Sequence, residues 1–243
     1  MKPQIMDNVA SATIPDELAH LVDTGHQALT TGDIDTARTA FEQAAERYAD
    51  EPVVHNNLGA LYMGLGDYAA AEQAFTRVVD LLPNRANPLF NQAMARFRQE
   101  EFDGAVEAFA AAAALDPEDP ETRNNLGAAR FQAGDIETAR QDMVAALQQQ
   151  PNFPNAVLNL CDLEVADGAP EIAIQLCEAY LEHHRDLGVL RRLLELLDSQ
   201  ARVRVEQAIP HAEAMVAACT GDNAARRHLG RLLEARQALR AEA

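Results

Sequence analysis

Small and large apolar residues alternate along this chain in a register that returns every 34 residues. Written in blocks that begin at Leu18, Pro52, Ala86, Pro120 and Pro154, the eighth position reads Gly25, Gly59, Ala93, Gly127 and Cys161, all small. The twentieth reads Ala37, Ala71, Ala105, Ala139 and Ala173, and the twenty-fourth reads Phe41, Phe75, Phe109, Met143 and Cys177. Tiny residues let two helix axes approach to roughly 8–10 Å while a bulky neighbour fills the remaining volume, so the register predicts a pair of facing helices in each block. The polar punctuation agrees. Gly32, Gly66, Gly134 and Gly168 hold the fifteenth position, where glycine ends a helix, and Asp33, Asp67 and Asp135 follow three of them as caps for the next. Pro83, Pro117 and Pro151 hold the thirty-second, where a ring without an amide hydrogen stops the second helix. A fixed period of 34 is the spacing of a stacked helix-turn-helix array.

These residues resemble the tetratricopeptide repeat (TPR) family, whose pattern places leucine-glycine early, then an alanine, an aromatic and a proline at these intervals. The string NNLGALYMGLGDYAAAEQAF, Asn56 to Phe75, matches it almost throughout. The resemblance covers five blocks, 18–51, 52–85, 86–119, 120–153 and 154–187, and implies an all-α, right-handed α-solenoid. Fidelity falls along the chain. The third block has Gln92 and Glu100 where leucine and glycine are usual, and Arg96 and Arg130 stand in a usually aromatic position. The fifth loses its large aromatic and its proline and ends in His183, His184 and Arg185.

Beyond 187 the helical spacing continues without the consensus. Residues 187 to 197 are apolar-rich, and 210 to 219 read as a second helix opened by Pro210, so 188–222 is expected to be a degenerate sixth hairpin. Thr220-Gly221-Asp222 breaks the chain, and 223–243 forms a capping helix. Leu229, Leu232, Leu233 and Leu239 of that helix face the array, and Arg226, Arg227, Arg231, Arg236 and Arg240 face water. Residues 1–17 are expected to form an amino-terminal tail, and the polar, unpatterned stretch over 1 to 13 is expected to be mobile. A solenoid of this kind is one continuous array with one long, thin core.

Charge changes the picture of what such an array meets. The chain carries a net charge of −18, and residues 1 to 184 alone hold 30 acids and 10 bases, while 185 to 243 hold 8 acids and 10 bases. An acidic field repels nucleic-acid phosphate and anionic lipid and steers a basic partner, so nucleic acid and membrane are not expected as partners. The longest uncharged apolar run, 108 to 115, is far short of the ~20 residues of a membrane helix. No charged start leads into an apolar core and cleavage site, so the expected address is the cytoplasm. Three cysteines make no disulfide framework, and Cys161 and Cys177 sit at packing positions. The seven histidines form no ligand spacing with cysteine or carboxylate, so neither metal nor cofactor nor intrinsic catalysis is expected.

Function then falls to the face lined by first helices. The sixth position gives Asn57, Asn91, Asn125 and Asn159, each 34 residues after the last. Its neighbours by the three-and-four rule add Asn56, Asn87, Asn124 and Asn155, with Phe90, Met94, Phe97 and Phe131 as apolar contacts. An amide side chain offers a donor and an acceptor, so such a strip can satisfy the backbone of an extended peptide whatever its side chains. It is similar to the asparagine ladders by which some members of the family hold extended chains. The competing reading makes Phe97 and Phe131 core residues that compensate for Arg96 and Arg130. The family's clamp for a free carboxyl terminus is not matched, because Val22 and His26 stand at its first-block positions and Asn87 and Asn91 at its third-block positions. The expected function is a non-catalytic adaptor that holds an extended segment of a protein partner. The alternatives are an assembly unit that associates with itself through its carboxyl-terminal part, and an accessory that docks a separate enzyme.

Overall fold

The computed structural model describes residues 15–218 and 223–241, and within them the chain is helical with short turns. The tail expected over 1 to 13 and the break at 220 to 222 lie outside the described residues. In chain order the helices are α1 (Asp16–Thr31), α2 (Ile34–Arg47), α3 (Pro52–Leu65), α4 (Tyr68–Leu81), α5 (Ala86–Arg98), α6 (Phe102–Leu115), α7 (Pro120–Gln132), α8 (Ile136–Gln149), α9 (Pro154–Ala166), α10 (Pro170–Leu181), α11 (Leu187–Ala218) and α12 (Asn223–Ala241). They divide into two compact units, one ending at Gly134 and one beginning at Asp135.

In the first unit, α1 to α7 pack each on the next. The alternation of small and large residues does what close packing requires. A Cβ added at Gly59 on α3 would stand 2.5 Å from Cε1 of Phe75 on α4, and the Phe41 ring on α2 lies as tightly over Gly25 on α1. Ala93, Ala105 and Phe109 repeat the arrangement between α5 and α6, joined by Leu126 and Ala129 of α7.

The turns are equally regular. Asp33 and Asp67 accept from the backbone N–H of Thr36 and Ala70, capping α2 and α4. Behind them the amides of Asp33 and Asp67 donate five residues back, to the carbonyls of Ala28 and Tyr62, which puts Gly32 and Gly66 at φ 78°. The third block makes the same turn without glycine: Glu101 N donates to Arg96 O, and Glu100 takes φ 63°.

The second unit starts with α8, capped by Asp135. Cys161 on α9 and Cys177 on α10 bring their Sγ atoms to 3.4 Å inside a core of Val157, Ala173, Tyr180, Val189, Leu193 and Leu196, so the two thiols act as a packing pair. Arg140 on α8 links to Glu164 at 2.7 Å and Asp167 at 2.5 Å.

The carboxyl-terminal part departs from expectation. In place of a hairpin over 188–222, a single helix α11 runs through 187 to 218 with Pro210 inside it. The stretch from Ser199 to Ile209 contains no glycine and no other proline to end a helix, and α11 continues past Pro210 despite the ladder bond its ring removes and the crowding it imposes on the preceding turn. α12 then packs back along α11, with Arg240 3.0 Å from Glu206.

Candidate functional site

The strip is built by first helices whose inner faces are committed to the core, which fixes the opposite edge of each. On α3, Val54, Leu58 and Leu61 are buried, and this leaves Asn56 and Asn57 half-buried beside them. The Oδ1 of Asn57 lies 3.1 Å from Nε2 of His26 on α1, and its Nδ2 is buried with no acceptor among the described residues. Asn91 on α5 donates from Nδ2 to Oδ1 of Asn56 at 3.3 Å, so the amides of adjacent first helices touch across the repeat. Asn125 on α7 donates to the carbonyl of Glu121, one turn back in its own helix, at 2.8 Å.

Not every residue expected on this face lies open. Asn124 is 3% exposed and belongs to the interior, on the side of α7 it shares with the buried Gly127 one turn on. Asn87 is exposed. Phe90, Met94 and Phe97 are half-buried and lean on the cluster around Phe109: the Phe90 and Phe109 rings meet edge to face at 5.5 Å, and Phe97 meets Phe102 in the same way. They are therefore core residues with one side showing. Phe131 is half-buried at the end of α7. On α9, within the second unit, Asn159 is half-buried and Asn155 exposed.

His26 is the residue that pattern reading passed over as a ligand-facing group. It occupies the ninth position of its block, stacks edge-on against Phe41 at 5.5 Å and extends the amide row by one member, a place its position number encodes. The departures from consensus also find their partners. Gln92 donates to Thr76 Oγ1 at 2.8 Å, and Arg96 donates to Glu72 at 2.7 Å, where Gln99 also binds. Burial pushes the Glu72 carboxyl up, but the hydrogen bonds from Arg96 and Gln99 and the Arg96 charge outweigh it and leave it below its ordinary value. Among the described residues no group of three or more His, Cys, Asp or Glu could hold a metal ion, and no helix is long and apolar enough to cross a membrane.

Two family models, both for the tetratricopeptide repeat, match the chain: one over residues 22–86 and 90–152, the other over 130–197. The chain belongs to the tetratricopeptide repeat family. No curated protein matches it. Among solved TPR structures it is similar to MamA of Desulfovibrio magneticus RS-1, at 19% identity and TM-score 0.65 over 70% of this chain and 96% of that one. It is also similar to pilF of Pseudomonas aeruginosa, at 18% and 0.62 over 94% and 98%, and to YrrB, described as a TPR protein with an unusual peptide-binding site, at 15% and 0.60 over 74% and 94%. At these identities the likeness is one of fold, an all-α array of TPR hairpins.

Proposed function

We propose that this TPR protein is a non-catalytic, cytoplasmic adaptor whose first helices hold an extended segment of a protein partner. The observation that carries the reading is the run of half-buried amides at one position of successive first helices, Asn57, Asn91 and Asn125, within reach of solvent on the first unit. Phe90, Met94 and Phe97 on α5 and Phe131 on α7 offer partial apolar surface on the same unit. Asn155 and Asn159 carry the same chemistry on α9, and Asn56 and Asn87 add amides at the rim. The net charge of −18 favours a basic partner by steering, not by specific contact. YrrB is precedent within the fold for a peptide as ligand.

The test is titration of the wild type and of an Asn91→Ala, Asn125→Ala double variant against a partner fragment captured by crosslinking. Each lost bond should weaken binding by on the order of 1 kcal/mol, about fivefold, with melting nearly unchanged. Equal affinity in both proteins removes the amides from the mechanism. A collapse in melting for the single variants makes them structural.

A further inference from the structure

α11 carries two apolar faces, and only one is used. Val189, Leu193 and Leu196 are buried within the second unit's core. Leu187, Leu190, Leu194 and Leu197 line a second face about 100° round the helix, and they are exposed, Leu187 at 81% and Leu194 at 59%. α12 does not reach them. Arg236 and Arg240 both meet Glu206, which sets the far end of α12 against the middle of α11, and Leu197, the last leucine of the stripe, lies nine residues before that point, about 14 Å along the axis.

The spacing 187, 190, 194, 197, continued by the exposed Ala201, fills the first and fourth positions of successive heptads with leucine, the pattern of a two-helix seam. We propose that this face is a contact between two copies of the chain, α11 of one lying antiparallel on α11 of the other. The charges beside the stripe select that orientation. Arg191 and Asp198 lie seven residues apart on one edge. With a two-fold axis between positions 195 and 196, Leu194 of each copy meets Leu197 of the other, Leu190 meets Ala201, and Arg191 meets Asp198 twice, a self-complementary patch. A parallel pair would put these charges on opposite sides of the seam. Asp198 already meets Arg202 at 2.9 Å in its own helix, but that exposed pair is worth little and gives way easily. Two heptads make a small interface, so a dissociation constant on the order of 10–100 µM is expected. The inference does not rest on the amide strip.

Sedimentation equilibrium of the full chain across that range tests it. The wild type should pass from monomer to dimer with concentration. Leu194→Glu, at an exposed position, should keep its helicity and melting and weaken association at least tenfold. Arg191→Asp and Asp198→Arg should each weaken it several-fold alone, because like charges then meet, while an equimolar mixture of the two variants should associate more tightly than either, because each altered position meets its opposite. A wild type that stays monomeric, leaving the stripe to another protein or another part of the chain, overturns the proposal. So does a Leu194→Glu variant that associates as the wild type does. A mixture no tighter than its components overturns the antiparallel pairing.

Discussion

At the scale of single residues, the separation of the helices in a hairpin is set by what is missing. Gly25 and Gly59 have no Cβ because a phenylalanine ring stands where it would go, and Ala105 and Ala139 are fully buried at the other narrow position. Ala105→Leu should overpack its site and cost about 1–3 kcal/mol, read as a lower urea midpoint. Ala139→Lys should cost more, since the ammonium finds no water there. Glu100 is the reverse case, a side chain where the backbone asks for none. Holding a non-glycine residue in the left-handed region costs roughly 1–2 kcal/mol, and the extra freedom of glycine in the unfolded chain takes back about 0.4–1. Glu100→Gly should therefore stabilise the protein by up to about 1.6 kcal/mol, and a melting point at or below that of the wild type would show the strain to be relieved elsewhere. These positions were legible in the sequence because steric exclusion leaves a compositional trace. The exposure of Asn124 was not: the fifth position borders both the open strip and the interior, and only the packing of α7 decides between them.

At the scale of elements, the network at Arg96 shows how a repeat survives the loss of its aromatic. The guanidinium spans α5 and α4 to Glu72 and also reaches the carbonyl of Gly104 on α6, tying three helices by hydrogen bonds where a ring would have tied them by contact. Its contribution depends on pH in a definite direction. The Glu72 carboxyl is lowered in the folded protein, against an ordinary value of 4.5, so the stabilisation is complete above 4.5 and is lost as pH falls through the lower folded value. Glu72→Gln should flatten the fall in melting temperature over that acid range and leave its slope near neutrality unchanged. The partner of Arg96 could not be read from sequence, because Glu72 lies 24 residues away on another helix. The hairpin expected over 188–222 failed for a different reason. Pro210 was read as a helix start, a role it fills only when something upstream ends the preceding helix, and nothing from Ser199 to Ile209 does. Without an amide hydrogen at 210 the carbonyl of Glu206 loses its ladder partner, so Pro210→Ala should stabilise α11 by about 1–3 kcal/mol, measured as protection of its amides from exchange.

At the scale of the molecule, stability in a repeat array is a sum over neighbours, and each end must finish on a face that tolerates water. If α12 is the cap, it meets that requirement for the second unit. Its Leu229, Leu232, Leu233 and Leu239 are half-buried and its Arg226, Arg227, Arg231 and Arg240 are exposed, whereas Arg236, expected in water with them, is half-buried beside Glu206. Removing 223–243 should leave the carboxyl-terminal half of α11 bare, and an apolar face of that kind promotes association. The stripe at 187 to 197 would also associate, so the two effects must be separated. In a Leu194→Glu background the full-length chain should be monomeric on sedimentation, and any association that truncation then adds must come from the face α12 covered. That added association should be indefinite, since a bared surface has no built-in two-fold mate and no closure. A truncated Leu194→Glu chain that remains a monomer with unchanged melting would mean that α12 shields nothing, and that the array finishes at α11.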